Sequence, residues 1–436
     1  MNFLDVLYIP LAAATAPLWI GKKRAGWPER FGHADPVPSV IGRPRLLIHA
    51  VSVGEISALR SLVPLLTPHC DLVLTATTDT GLARAQSLFG SLAAVRRYPL
   101  DFSWSVNRFL DAIRPDAVGL MELEVWPNFV RACSRRAIPV GVINGRLSDR
   151  SFRGYQRFRP LISPSFRRLA FASVQDATYA GRFRELGASD PQIHVTGSMK
   201  WDAAQIADVA DGADELARDL GIDRSRPLVV AGSTGPLDVS GAPIGYDGRS
   251  GRPPWCEESL FHASCPPGVQ LLCAPRKPER FEEAARALPG CVRRSRKGIG
   301  PVRSGSDRFL LDSIGELRAA YSLATVAIVG RSFGRLFGSD PIEPVALGKA
   351  TLIGPNHGDF VGTVGPLSAS GGLRVVSGEA LPQNLADLLR SPVKRADMAR
   401  AGRECIRREM GASGKNAALL RRLTEDVPRP TEPMLY

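Results

Sequence analysis

Glu55, Glu122 and Glu124 each stand just beyond a short apolar run, in Ile48–Leu66 (IHAVSVGEISALRSLVPLL) and Ala117–Asn128 (AVGLMELEVWPN). A carboxylate that follows a buried strand is held at a sheet edge, where it can accept a proton or bind a hydroxyl. In the first stretch Gly54 fits a sharp strand-to-helix turn and Ser52 is a cap candidate. Glu55 then falls in the first helical turn, where the helix N-terminus lowers a carboxyl pKa. In the second stretch an extended chain projects Glu122 and Glu124 to one side. The same positions also suit acids that only stabilise a helix start or bind loop N–H groups.

Cationic residues follow. Val142–Arg157 (VINGRLSDRSFRGYQR) crowds Arg146, Arg150, Arg153 and Arg157 into one region, which suits a phosphate or carboxylate ligand or a solvated basic face. Three further strand ends lie in the second half: Gly232-Ser233-Thr234, Pro275–Arg280 and Gly330–Pro344 (GRSFGRLFGSDPIEP). Glycine loops that open onto helices present N–H groups able to hold a phosphate. With Arg276 between them, they read as a nucleotide phosphate pocket, and Glu343 is placed to accept from ribose hydroxyls. No Walker loop and no G-x-G-x-x-G at a first βα unit is present, so ATP or NAD chemistry is not indicated.

These residues need a scaffold of parallel strands. Apolar runs at Leu46–Val51, Leu72–Ala76, Ala117–Met121, Val140–Ile143 and Phe171–Val174 alternate with helical patterns. A second series runs through Pro227–Ala231, Val269–Cys273, Phe309–Leu311, Val326–Val329, Thr351–Ile353 and Leu373–Val376. The expectation is an α/β protein with two doubly wound, Rossmann-like domains, 31–205 and 206–436, facing a cleft. The polar stretch Ala203–Arg226 is the expected hinge, a helical tail from Ser391 to Leu423 closes the second domain, and the Gly/Pro-dense 235–255 is a loop insertion.

At 436 residues the chain has length for two cores, and its net charge of +13 favours a polyanionic partner. Nucleic acid is not the expected one, because no recognition motif appears and the arginines fall at strand ends. The seven cysteines form no Cys-x-x-Cys pair, which argues against a zinc site or disulfide frame. Residues 1–30 hold an apolar run, Phe3–Ile20, interrupted by Asp5 and two prolines and followed by Lys22, Lys23, Arg24 and Arg30. A spanning helix needs roughly 20 apolar residues, so this segment is expected to associate with a membrane, its basic residues facing anionic head groups on the cytoplasmic side.

Seven motifs in order, HAVSVGE (49–55), TATTDTG (75–81), MELEVWPN (121–128), INGRLSDRSFRGYQRF (143–158), VTGSMKWD (195–202), APRKPERF (274–281) and DPIEPVALGKATLIGP (340–355), resemble the 3-deoxy-D-manno-octulosonic acid (Kdo) transferases. The resemblance covers nearly the whole chain. It implies a GT-B glycosyltransferase at the cytoplasmic face of the inner membrane that moves Kdo from CMP-Kdo to a lipid A precursor, lipid IVA, with inversion and without a metal or other cofactor. Glu55 occupies the position of the family's catalytic base, and Glu122 falls in its acidic motif. Ser233, Arg276, Ser332 and Glu343 match donor positions, while Arg146, Arg150 and Arg153 suit the acceptor's phosphates.

The donor half departs from the family at Gly235, Lys277, Gly338-Ser339-Asp340-Pro341 and Asp359. Two other readings therefore stand beside the first: a GT-B enzyme using another nucleotide sugar on a glycolipid, and a catalytically weakened membrane-bound binding protein.

Overall fold

The computed structural model describes residues 4–6, 8, 25–38, 40–237, 256–296 and 306–425. The chain divides into two compact units, one spanning 204–408 and the other built from 1–203 with the chain from 409 onward.

In the first unit, β1 (Arg45–Ala50), β2 (Asp71–Ala76), β3 (Ala94–Arg97), β4 (Ala117–Met121), β5 (Val140–Gly145), β6 (Phe171–Val174) and β7 (Ile193–Val195) form one sheet in the order β3-β2-β1-β4-β5-β6-β7. Every pairing is parallel. Alternation along each strand sends Leu47, Val73 and Val118 to one buried face and Leu46, Ile48, Leu72 and Leu74 to the other. Both faces are covered, which is why these strands read as unbroken apolar runs.

The second unit repeats the plan with β8 (Leu228–Thr234), β9 (Gln270–Pro275), β10 (Val292–Arg293), β11 (Arg308–Leu310), β12 (Val326–Val329), β13 (Ala350–Ile353) and β14 (Arg374–Val375). Their order is β10-β11-β9-β8-β12-β13-β14, again all parallel. Val229, Ala231 and Ile328 face one core, and Leu228, Val230 and Ala327 the other. Strand order reverses between β1 and β4 in the first unit and between β8 and β12 in the second. Each pair marks a switch point, where connections leave in opposite directions and open a crevice at the carboxyl edge.

Several expectations need correction. β3, β7 and β10 were not foreseen, and all three are short strands without a continuous apolar run. The stretch taken for a hinge contains a helix, Ala213–Leu220, whose Ala213, Leu216, Ala217 and Leu220 are buried in the second unit. The terminal helix Ala412–Glu425 belongs to the first unit, not the second: Ala412, Ala417 and Leu420 enter the core against β1, β2 and β4. Gly119 makes room for it, since a Cβ there would lie 2.9 Å from Leu420 Cδ2.

Asp5, the acid inside the apolar N-terminal run, is fully buried. It accepts from Ser103 N at 2.8 Å, at the start of the helix Ser103–Ile113, and from Asn128 Nδ2 at 3.2 Å. Tyr8 donates to Asp101. Arg30 does not face head groups: it is 4% exposed and pairs with Asp79 at 3.4 Å. Most of Phe3–Ile20, together with Lys22, Lys23 and Arg24, lies outside the described residues, as does the insertion from 238 to 255. Among the described residues no helix is long and apolar enough to cross a membrane. All seven cysteines carry free thiols.

Candidate active site

β1 ends at Ala50 and the helix Val53–Ala58 begins after two intervening residues, with Ser52 extended at its N-cap. The Ser52 hydroxyl does not cap the helix. It donates to Glu55 Oε1 at 3.0 Å, while Val51 N donates to Glu55 Oε2 at 2.8 Å. The Glu55 side chain thus folds back over the strand end. Gly54 keeps an ordinary helical backbone, and a Cβ there would make only an ordinary contact, 3.9 Å to Ser52 Oγ, so this turn does not depend on glycine's conformational freedom.

The Glu55 carboxyl is pushed up, contrary to the expectation from the helix terminus. Burial is the largest cause, and the charges of Glu122 and Glu124 add to it, against the bonds from Val51 and Ser52. Glu122 and Glu124 come from the other side of the switch point, after β4. Glu122 adopts a left-handed backbone, φ 51°, so the chain bends at the strand end instead of continuing extended. Its N–H still donates to Ile143 O of β5 at 3.0 Å. Burial raises its carboxyl as well, opposed by the charges of Arg146 and Lys200.

Glu124 is oriented by Trp126, whose Nε1 donates to Oε2 at 2.6 Å, and lies 3.7 Å from His49 Nε2. His49 is fully buried on β1, with Nδ1 3.0 Å from Thr75 Oγ1 and its ring stacked 3.5 Å from that of Tyr98. His49 and Lys200 lie within the motifs HAVSVGE and VTGSMKWD without an expected role of their own; the signal for His49 is a polar residue inside an apolar run, and Lys200 carries none beyond its motif.

The arginine cluster separates. Arg146 leaves β5 half-buried, close enough for its charge to act on Glu122. Arg150 and Arg153 sit on the helix Asp149–Arg157, both exposed.

At the second switch point the expected phosphate-binding loops are already bonded. Glu257, fully buried at the start of the helix Glu257–Ser264, accepts four backbone N–H groups. Gly235 N and Arg331 N reach Oε2 at 2.8 and 2.6 Å, and Ser332 N and Phe333 N reach Oε1 at 3.0 and 3.1 Å. Burial pushes this carboxyl up to about 7, while the N–H donors pull it back. Both oxygens carry donors, which is the bonding of a carboxylate. A Cβ on Gly330 would approach Oε2 to 2.8 Å, so the close passage needs glycine there.

Glu258, also fully buried, receives Arg280 through Nη1 and Nη2 at 3.2 and 3.1 Å, and the Thr234 hydroxyl. The sequence suggests no role for Glu257 or Glu258, and Arg280, in the Pro275–Arg280 stretch expected to hold a phosphate, is instead paired with Glu258 and Glu283.

The donor candidates fare unequally. Ser332 is fully buried, and its hydroxyl donates to Val329 O at 2.6 Å and accepts from Gly354 N at 2.8 Å, so it is a loop staple with no face for a ligand. Ser233 is 8% exposed at φ 56°, where the β8–β9 register shifts, and shapes a bulge. Arg276 is exposed beyond β9. Glu343 is half-buried in the first turn of the helix Ile342–Ala346, its carboxyl raised by burial against the charge of Arg318.

Residues 25–203 match the family described as 3-Deoxy-D-manno-octulosonic-acid transferase (kdotransferase). The 3-deoxy-D-manno-octulosonic acid transferase of Bordetella pertussis is 31% identical over 91% of this chain and 92% of its own length. The enzyme of the same name from Haemophilus influenzae is 29% identical, over 86% of each chain. Among solved structures, a glycosyltransferase from Rickettsia africae aligns over 88% of this chain and all of its own, with a TM-score of 0.56 at 10% identity, a likeness of fold alone. With a carboxylate cluster at one switch point, two parallel-sheet units and this extent of matching sequence, the chain belongs to the 3-deoxy-D-manno-octulosonic acid (Kdo) transferases, a family of glycosyltransferases.

Proposed function

We propose that this enzyme transfers Kdo from CMP-Kdo to a lipid A precursor such as lipid IVA, with inversion and with Glu55 as general base. The observation that carries the reading is the Glu55 carboxyl itself: half-buried at a strand end, with one donor on each oxygen and so lone pairs to spare, and raised by burial and by Glu122 and Glu124. A raised carboxyl is a stronger base, better matched to an acceptor hydroxyl near neutral pH. As the acceptor oxygen bonds to the anomeric carbon of Kdo, its proton passes to Glu55, the bond from that carbon to the phosphate oxygen breaks, and CMP departs with the electron pair. Arg276, exposed at the carboxyl edge of the second sheet, offsets the phosphate charge. Arg146 and the exposed Arg150 and Arg153 supply cations for the acceptor's phosphates. The N-terminal run holds the enzyme at the inner membrane, on its cytoplasmic face.

Transfer of labelled Kdo, with CMP-Kdo generated in situ, onto purified lipid A precursor tests this with wild type and Glu55→Gln in parallel. Product from wild type only, with CMP binding retained by both, is the expected result. Equal turnover by the variant removes Glu55 as the base, and no product from wild type despite CMP binding removes the donor and acceptor pairing.

A further inference from the structure

The second switch point, between β8 and β12, is where a doubly wound sheet ordinarily receives an anionic group of its ligand, on N–H groups left free by the loops. In this chain four of those N–H groups, from Gly235 after β8 and from Arg331, Ser332 and Phe333 after β12, converge on the carboxylate of Glu257. The Ser332 hydroxyl is spent within the backbone as well. The neighbouring Glu258 is matched by Arg280, so the charge of Glu257 is left to the N–H groups alone. An anion arriving at this nest would find these four N–H groups and the Ser332 hydroxyl already bonded, and a like charge in a poorly solvated place.

Resting on the reading of a cytidine nucleotide sugar as donor, we propose that Glu257 is a specificity-determining residue: a built-in anion that fills the switch-point nest and restricts the donor to one carrying a single phosphate. A nucleoside diphosphate has a second phosphate to seat, and the place a sheet of this kind offers for it is taken. The single phosphate of a monophosphate donor is left to side chains at neighbouring strand ends, Arg276 among them. Glu257 acts through the loops it holds and touches no reacting atom.

Calorimetric titration of the full chain with CMP and with CDP tests this directly. Wild type is expected to bind CMP roughly tenfold or more tightly than CDP, the scale of losing one hydrogen bond to a charged group. In Glu257→Ala, checked for its fold by circular dichroism, that preference is expected to shrink by a similar factor. Added formate, a carboxylate small enough to refill the nest, is expected to restore it, which a merely structural loss would not allow. Wild type binding CDP as tightly as CMP overturns the inference even if the variant does not fold. An unchanged preference in a folded variant overturns it too. Wild type that binds neither nucleotide overturns the donor reading and this inference with it.

Discussion

The two switch points are built alike and bonded in opposite ways. Each sits between the central strand of a parallel sheet and its neighbour on the far side of the reversal, and each gathers carboxylates. After β1 and β4 stand Glu55, Glu122 and Glu124, half-buried and crowding one another's charge. After β8 and β12 stands Glu257, fully buried and bonded at both oxygens. Glu55 accepts from two donors where Glu257 accepts from four. Burial raises both carboxyls, so a raised pKa does not tell the two roles apart. What separates them is bonding capacity left over. A carboxylate with lone pairs to spare and like-charged neighbours is prepared to take a proton, and one saturated by N–H groups holds loops in place.

The sharpest way to break this contrast is Glu55→Gln. It is expected to lower kcat by roughly 10²- to 10⁴-fold, the range for a general base, with CMP affinity nearly unchanged. Steady-state transfer assays check it, and a kcat within a few-fold of wild type would end the contrast. Next, Glu258→Ala removes the fully buried partner of the Arg280 guanidinium, which keeps Glu283 at 3.0 Å and the Thr234 carbonyl at 3.1 Å. A loss of about 1.5–3 kcal/mol, the scale of a hydrogen bond to a charged group, is expected in urea unfolding, and a loss below ~0.5 kcal/mol would mean that the pair is no architectural element. Arg276→Ala, at an exposed position, is expected to raise the KM for donor by about tenfold with kcat largely kept and stability within ~0.5 kcal/mol.

The smaller effects concern pH. As the proposed base, Glu55 must be ionised to accept a proton, and its pKa is raised, so the acid limb of kcat/KM is expected above the ordinary glutamate value of about 4.3. Removing a neighbouring charge with Glu122→Gln is expected to move that limb to lower pH, and a limb that stays or rises would show that Glu122 does not act on Glu55 electrostatically.

The first unit also contains a carboxyl of the saturated kind. Asp101 accepts from Asn128 N and Phe129 N at 3.0 and 2.8 Å, and burial pushes it up to about 7. Its folded pKa exceeds its unfolded value, so its stabilising contribution is fully present below about pH 4 and is lost as pH rises through about 7. Asp101→Asn is therefore expected to flatten the fall of Tm across that window, and an unaltered pH profile would remove this linkage.

The scaffold was largely legible because strands buried on both faces must be apolar throughout, as Leu46–Val51 and Val326–Val329 are. β3 reads Ala-Val-Arg-Arg and β10 only Val-Arg, and at a sheet edge pairing to one neighbour sets the strand, not local pattern. Glu55 stood out because a strand, a turn and an acid are contiguous there. Glu257 did not, because its donors lie 22 residues before it and 74 to 76 after it, and the insertion parts it from β8. The pKa of Glu55 was misjudged for a related reason. The helix terminus is local and visible in sequence, whereas burial and the charges of Glu122 and Glu124 arrive from another strand.

The helix Ala412–Glu425 supplies Leu420 to the core beneath β4, although more than two hundred residues separate it from the rest of its unit. During synthesis the first unit therefore begins before 204–408 and is completed after it. Its sheet emerges from the ribosome with one flank covered only in part, by the segments that carry Ile56, Leu62 and Ala85, while 204–408, continuous in sequence, has all it needs to close beforehand. Until this helix emerges, the nascent first unit shows apolar surface around Gly119 to whatever holds newly made chains, and a ribosome paused soon after residue 408 would leave a folded second unit attached to an unfinished first one.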